Sequence, residues 1–288
     1  MMDRRQDMMR RDATSGRVIR ALIALLAAAA AIFAYVVILA LSGALFGSVL
    51  TRSGKEVSDE LRANVTTVAG IVGNAAALSG VCIIILSSRR KIVPTLRIGR
   101  FPLTAVIPCV SLGVAYNFFA SCALTLAISG GAFSNDVVNS FNAMYSDTTI
   151  GNPALYIAAV ALVTPVVEEV LFRGVAYGCM RRRMNKVLAA VISAVFFGLA
   201  HGNLIAFIYT FALGLILAVL FEKSGSIFLP IILHASFNTS SFLTPYIDAA
   251  SRRIDPSLIF VCTASGICAA ALFCLTYAAL RQRNEIYE

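Results

Sequence analysis

The chain has 288 residues, of which 59% are hydrophobic and only 14% are charged, and its mean hydropathy is +0.82. Soluble domains are about half apolar and about a quarter charged. This composition excludes a soluble globular protein and an intrinsically disordered chain. The apolar residues lie in long uninterrupted runs, so the sequence predicts a polytopic membrane protein.

The chain begins with a basic segment, residues 1–20, which precedes the first apolar run, 21–47. That run is too long for the core of a signal peptide, which has about 7–15 residues, and further apolar runs follow it. We therefore expect residues 1–20 to be a cytoplasmic segment and 21–47 to be an uncleaved membrane anchor.

Seven more apolar runs follow, and a spanning helix needs about 20 apolar residues. The fifth and sixth of the eight runs are short and close together, which predicts a hairpin that turns inside the membrane. The polar loop 129–153 has room for a short interfacial helix. Residues 21–288 are thus predicted to form one all-α transmembrane domain of about eight helices. The runs are 21–47, 65–86, 103–128, 154–180, 187–200, 204–221, 226–242 and 258–280.

The distribution of lysine and arginine predicts the orientation of this bundle. If the eight runs alternate across the membrane and the N-terminus is inside, 18 basic residues lie in inside segments and 5 in outside segments. Basic residues concentrate in cytoplasmic loops, so both termini are predicted to be cytoplasmic. This placement also explains the net charge of +9 without a nucleic-acid partner.

Five ionisable side chains lie within or beside the apolar runs. Glu168, Glu169 and Arg173 lie in the fourth run. The chain has two histidines: His201 directly follows the fifth run, and His234 lies in the seventh. An ionisable group in the bilayer costs at least a few kcal/mol and therefore marks a candidate functional site. The sequence predicts that these residues belong to one site.

Helix periodicity separates the two glutamates. Glu169 and Arg173 are four residues apart, on one face of a helix and within reach of an ion pair. Glu168 lies about 100° away around the helix. These positions favour a structural pair, Glu169–Arg173, and a chemical role for Glu168. A packing network of all three residues stays an alternative.

The same spacing of four residues joins His234 to Asn238 and Phe197 to His201. For either histidine alone, a hydrogen bond between helices is the simpler interpretation. Together with the glutamate that lacks a partner on its own helix, the two histidines are more typical of a reaction centre.

These residues form three short motifs, EEVLFRG (168–174), FGLAH (197–201) and HASFN (234–238). They resemble, in order, the EExxxR, FxxxH and HxxxN motifs of the CPBP family of intramembrane endopeptidases. That family includes type II CAAX prenyl proteases and bacteriocin-processing or immunity-associated (Abi-like) proteins. The resemblance covers a catalytic core at about 154–242.

The resemblance implies an enzyme that hydrolyses a peptide bond of a membrane-associated or lipidated peptide or protein. Glu168 and His201 would activate a water molecule, and His234 and Asn238 would form the oxyanion hole. This agrees with the chemistry of a carboxylate base and of imidazole and amide donors. Three further motif residues would support the site: Glu169, Arg173 and Phe197.

The sequence leaves the use of a metal open. Glu168, His201 and His234 are acceptable zinc ligands, but the HExxH motif is absent and the three ligands would come from three helices. Asn238 is a poor zinc ligand and a good oxyanion donor, which favours a metal-free glutamate mechanism. No cofactor is predicted.

Two other classes of function compete with a protease. One is a non-catalytic membrane immunity or scaffold protein of the same fold, which the complete motif set disfavours. The other is an ion-coupled transporter, disfavoured because the two halves show no inverted repeat. Arginine outnumbers lysine 20 to 4, which hints at a GC-rich bacterial genome and a bacterial plasma membrane.

Overall fold

A computed structural model describes residues 2–52, 57–145, 151–243 and 256–286. It is 87% helical, and no strand occurs within these ranges. The predicted all-α class is therefore confirmed. The helices are α1 (Met2–Arg52), α2 (Asp59–Ser87), α3 (Ile92–Thr95), α4 (Val106–Ser129), α5 (Asn135–Tyr145), α6 (Pro153–Arg181), α7 (Lys186–Leu199), α8 (Leu204–Ser224), α9 (Phe228–Ser240) and α10 (Pro256–Ile286).

Each of the eight predicted apolar runs corresponds to one helix. In the described part of the chain, six helices are long and apolar enough to cross a membrane: α1, α2, α4, α6, α8 and α10. The other two, α7 and α9, have 14 and 13 residues and are about 20 Å long. They are shorter than the ~30 Å core of a bilayer. The orientation of the termini stays a prediction.

Helix α6 occupies the centre of the bundle and contacts helices on both sides. Helices α1 and α2 pack on one side, and α7, α8 and α9 pack on the other. Helix α4 packs on α9, and α10 packs on the outside of α4. The segment with all the ionisable residues of the fourth run is therefore surrounded by other helices, which shield these residues from lipid.

Helix α6 is not a regular α-helix. Two π-helical stretches, Ala158–Val163 and Val170–Tyr177, flank the α-helical turns Thr164–Glu169. Pro165 has no N–H to donate, and a wider turn accommodates the carbonyl that it leaves free. Single π-helical turns occur often at functional sites. Here they bracket the two glutamates.

The predicted hairpin is present as the antiparallel pair α7–α8. Gly198 faces Phe207 and Gly214 faces Ala194, which are pairs at similar distances from the intervening turn. Gly202 in that turn has a φ of +68°, a conformation that favours glycine.

The loop between α4 and α6 contains a short helix, α5. The Asn203 amide donates to Val137 O at 3.4 Å and to Ser140 Oγ at 3.3 Å, so α5 lies against the α7–α8 turn.

A close approach of two helices fixes the position of α9. A Cβ atom at Gly113 of α4 would lie 2.5 Å from Leu233 O and 2.9 Å from Ser236 Cβ. The neighbouring atoms are largely backbone, so they cannot move aside without moving α9. Gly113 therefore determines how near α4 can pack to the helix that carries His234.

Replacing Gly113 with alanine is expected to destabilise the protein by about 1–3 kcal/mol, because overpacking forces backbone shifts. Thermal unfolding in detergent measures the effect. Gly80→Ala is the matched control, because nothing lies within 4 Å of a Cβ atom at that position of α2. Equal melting temperatures for the two variants would contradict the prediction.

Candidate active site

His234 of α9 lies between the two adjacent glutamates of α6. Its Nε2 atom is 3.7 Å from Glu168 Oε2, and its Nδ1 atom is 2.9 Å from Glu169 Oε1. The two helices are distant in sequence, and the imidazole bridges them in the interior of the bundle. One residue of the third motif thus meets both acidic residues of the first.

Glu169 also forms the ion pair that the spacing predicts. Arg173 Nη1 is 2.8 Å from Glu169 Oε1, and both side chains are fully buried. Arg173 Nη2 donates to Gly214 O at 3.2 Å, and the guanidinium lies over the Phe197 ring at 4.6 Å. The pair is therefore joined to α7 and α8, and it holds His234 as a third member that the spacing did not predict.

These contacts define the tautomer of His234. The Glu169 carboxylate accepts a hydrogen bond from Arg173, so it also acts as the acceptor towards the imidazole. Nδ1 therefore carries a proton, and Nε2 points to Glu168. A carboxylate that orients an imidazole in this way is a common arrangement in catalytic sites.

Exposure distinguishes the roles of the two glutamates. The Glu168 side chain is 12% exposed, whereas that of Glu169 is 0% exposed. The Glu168 side chain is therefore more accessible than the Glu169 side chain. This difference supports the interpretation of Glu168 as the chemical group and of Glu169 as a structural partner.

His201 lies at the α7–α8 turn and shares the neighbour Phe197 with His234. Its Nδ1 atom is 2.8 Å from Phe197 O, and a carbonyl only accepts, so Nδ1 carries the proton. Its Nε2 atom then keeps a lone pair that can accept one. No hydrogen bond joins His201 to Glu168 among the described residues, so their predicted partnership stays a prediction.

Phe197 is the common neighbour of both histidines and of the arginine. Its ring contacts the His201 ring at 5.0 Å and the His234 ring at 5.5 Å, in both cases edge to face. Arg173 lies over the same ring. The first residue of the FxxxH motif therefore packs against polar side chains of all three motifs.

Asn238 contacts the backbone of α6. Its Nδ2 atom donates to Val160 O at 2.8 Å, within the first π-helical stretch. Asn238 thus lies one helical turn from His234 on α9, as predicted, but its amide is engaged. A role as an oxyanion donor requires the amide to exchange this carbonyl for a substrate oxygen.

Two residues of the site lie outside all three motifs. The hydroxyl of Tyr35 on α1 is 3.4 Å from Glu168 Oε1, and it is 3.2 Å from Asn74 Oδ1 on α2. A single tyrosine in an apolar run gives no signal in the sequence. Asn74 was not singled out from the sequence, although an amide inside a membrane run usually has a polar partner on another helix.

The three candidate zinc ligands do not come together. Within the described ranges, no group of three histidine, cysteine, aspartate or glutamate side chains is arranged to hold a metal ion. Glu168 and His234 approach each other, and Nε2 is the imidazole atom that faces Glu168. The expectation of a metal-free mechanism stays a prediction.

Comparisons with known proteins agree with the three motifs. Residues 150–240 match the model of the family described as type II CAAX prenyl endopeptidase Rce1-like. A Bacillus subtilis (strain 168) protein described as "Putative membrane peptidase YdiL" is 33% identical over 85 residues, which are 30% of this chain and 35% of that protein. An Escherichia coli protein described as "Uncharacterized 24.3 kDa protein" is 31% identical over 105 residues, 35% of this chain and 48% of that protein.

The matches are confined to part of each chain. Aligned residues make up about a third and about half of the length of these two relatives. No solved structure matches the chain significantly.

The fold and its apolar helices define a polytopic, all-helical integral membrane protein. Residues 150–240 are similar to the type II CAAX prenyl endopeptidase Rce1-like family, which agrees with the resemblance of the three motifs.

Proposed function

We propose that the protein is an intramembrane endopeptidase that uses Glu168 as its general base. The observation that carries the proposal is the position of Glu168 in the interior of a membrane helix bundle, where its partly exposed side chain places a carboxylate oxygen 3.7 Å from His234 Nε2. An ionisable group in such an environment is costly, so its presence indicates a function. The family match over the same segment points to peptide-bond hydrolysis.

In the proposed reaction, Glu168 removes a proton from a water molecule, and the resulting hydroxide attacks the scissile carbonyl carbon. His201, with the free lone pair of Nε2, helps to orient this water. The electron pair of the carbonyl moves to its oxygen. Glu168 then returns the proton to the nitrogen of the leaving amine as the C–N bond breaks.

His234 and Asn238 are proposed to stabilise the oxyanion. Because Nδ1 of His234 donates to Glu169, the residue can donate from Nε2 only as an imidazolium. The Glu169 carboxylate is the counter-ion that stabilises this charge. The Asn238 amide supplies a second donor when it leaves Val160 O.

The proposed substrate is a membrane-associated or lipidated peptide or protein, and the proposed location is a bacterial plasma membrane. A prenylated C-terminal peptide, a leader peptide and a membrane-anchored regulator all meet this description. The test is cleavage of such peptides by purified protein in liposomes. Trapping on a Glu168→Gln variant, followed by mass spectrometry of the bound peptides, identifies the natural substrate.

We expect hydrolysis to continue in the presence of strong chelators, because the proposed base and oxyanion donors are side chains of the chain itself. Purified protein is expected to carry less than one zinc ion per chain. Elemental analysis and activity before and after chelation test both statements. One tightly bound zinc per chain, lost together with activity and restored with it, would contradict them.

A further inference from the structure

Two helices outside the family match lie next to Glu168: a tyrosine of α1 contacts the Glu168 carboxyl, and an asparagine of α2 contacts that tyrosine. Tyr35 Oη lies 3.4 Å from Glu168 Oε1 and 3.2 Å from Asn74 Oδ1. Both Tyr35 and Asn74 are 4% exposed. The Asn74 Nδ2 atom donates to Gly70 O at 2.9 Å, which directs the amide oxygen towards the tyrosine. The hydroxyl therefore faces two acceptors.

A tyrosine hydroxyl has one proton and can also accept a hydrogen bond. When Glu168 is a carboxylate, donation to it is favoured, because hydrogen bonds to charged acceptors are about twice as strong as neutral ones. When Glu168 has gained a proton, it can donate to Tyr35 Oη, and the tyrosine proton turns to Asn74 Oδ1. Both protonation states of Glu168 therefore keep a hydrogen-bond partner. This matters because a buried polar group without a partner is costly.

We propose that Tyr35 and Asn74 are positioning residues that hold the Glu168 carboxyl in both protonation states of the reaction. The proposal rests on the proposed function, since it takes Glu168 to be the base. The proton that Glu168 accepts comes from water and goes to the leaving amine. Tyr35 keeps its own proton throughout, and only the direction of its O–H bond changes.

Substitution of Tyr35 or Asn74 leaves the charged groups around Glu168 unchanged. Among the described residues, His234 of α9 faces Glu168 directly, and the Glu169–Arg173 pair neighbours it on α6. Tyr35 of α1 is a further titratable group that contacts Glu168. A change in pH dependence on substitution of Tyr35 or Asn74 therefore reports the hydrogen bonds of these two residues.

The test is the pH dependence of kcat for Tyr35→Phe and Asn74→Leu. Tyr35→Phe removes the donor to the carboxylate and favours the protonated acid, so the acidic limb is expected to move to higher pH. The kcat value is expected to fall about 10- to 100-fold, as for loss of a hydrogen bond to a charged group, with KM within about twofold. Asn74→Leu leaves Glu168 as the only acceptor, so the acidic limb is expected to move to lower pH.

Tyr116→Phe is the matched control. Tyr116 is also a buried membrane tyrosine, and its hydroxyl donates to Tyr209 O at 2.8 Å. This variant is expected to lower the melting temperature about as much as Tyr35→Phe and to leave the pH profile unchanged. The proposal is wrong if the acidic limbs of the kcat profiles of Tyr35→Phe and Asn74→Leu move in the same direction or do not move. That outcome would leave the proposed peptidase function intact.

An infrared measurement keeps the proposal testable if no peptide is cleaved and the proposed function fails. The carboxyl band of Glu168 is the band that disappears from difference spectra in Glu168→Gln. It is expected to change frequency in Tyr35→Phe and not in Tyr116→Phe. An unchanged band in Tyr35→Phe would overturn the proposal independently of activity.

Discussion

Replacing Glu168 with glutamine is expected to lower peptide-bond hydrolysis by at least about 100-fold, the low end for general-base catalysis. Glutamine has nearly the same shape but cannot take a proton from water. Folding and substrate affinity are therefore expected to stay close to those of the unmodified protein. The measurement is cleavage of membrane-anchored peptides in detergent or liposomes, with melting temperature and peptide binding measured in parallel.

Glu222→Gln is the matched control for this substitution. Glu222 is also a membrane-helix glutamate, but it accepts hydrogen bonds from Tyr177 at 2.9 Å and from Arg181 at 2.8 Å, at the end of α8. Its replacement is expected to leave hydrolysis unchanged. If Glu168→Gln cleaves as fast as the unmodified protein, Glu168 is not the base and the proposed mechanism fails.

Replacing Arg173 with alanine is expected to destabilise the protein by about 3–5 kcal/mol, the range for removal of one partner of a buried pair. The change leaves the Glu169 carboxylate, which is fully buried, without its cation. It also removes the guanidinium from the Phe197 ring. Thermal unfolding in detergent and expression level are the measurements, and both are expected to fall.

Arg181→Ala is the control for this effect. Arg181 also pairs with a glutamate at 2.8 Å, but its side chain is 37% exposed. Exposed pairs contribute at most about 1 kcal/mol, so this variant is expected to unfold nearly as the unmodified protein does. An Arg173→Ala protein that folds normally and loses only activity would assign Arg173 to the catalytic group instead.

The eight helices and the Glu169–Arg173 contact could be predicted because both depend on local properties of the chain. Apolar runs determine which segments enter the bilayer, and a spacing of four residues places two side chains on one face. The sequence did not predict which neighbouring helices the side chains of Glu168 and Glu169 face. The direction of these side chains depends on the π-helical stretches around them, which no spacing rule indicates.

The contacts that complete the site are between residues far apart in sequence. His234 meets Glu169 across 65 positions, and Tyr35 meets Glu168 across 133. Such contacts depend on which helices are neighbours and how they are rotated, and hydrophobicity does not determine either. For the same reason, the sequence alone left the use of a metal open.

Because both of its residues lie on α6, the Glu169–Arg173 pair can form before the later helices of the chain are synthesised. This pair forms within α6 as soon as that helix winds, so a large part of its charge is neutralised before later helices exist. The Glu168 carboxyl meets Tyr35 of α1 early, but it meets His234 only when α9 follows. When α6 inserts, Glu168 is therefore the acidic group that lacks its contact with His234 until α9 is in place.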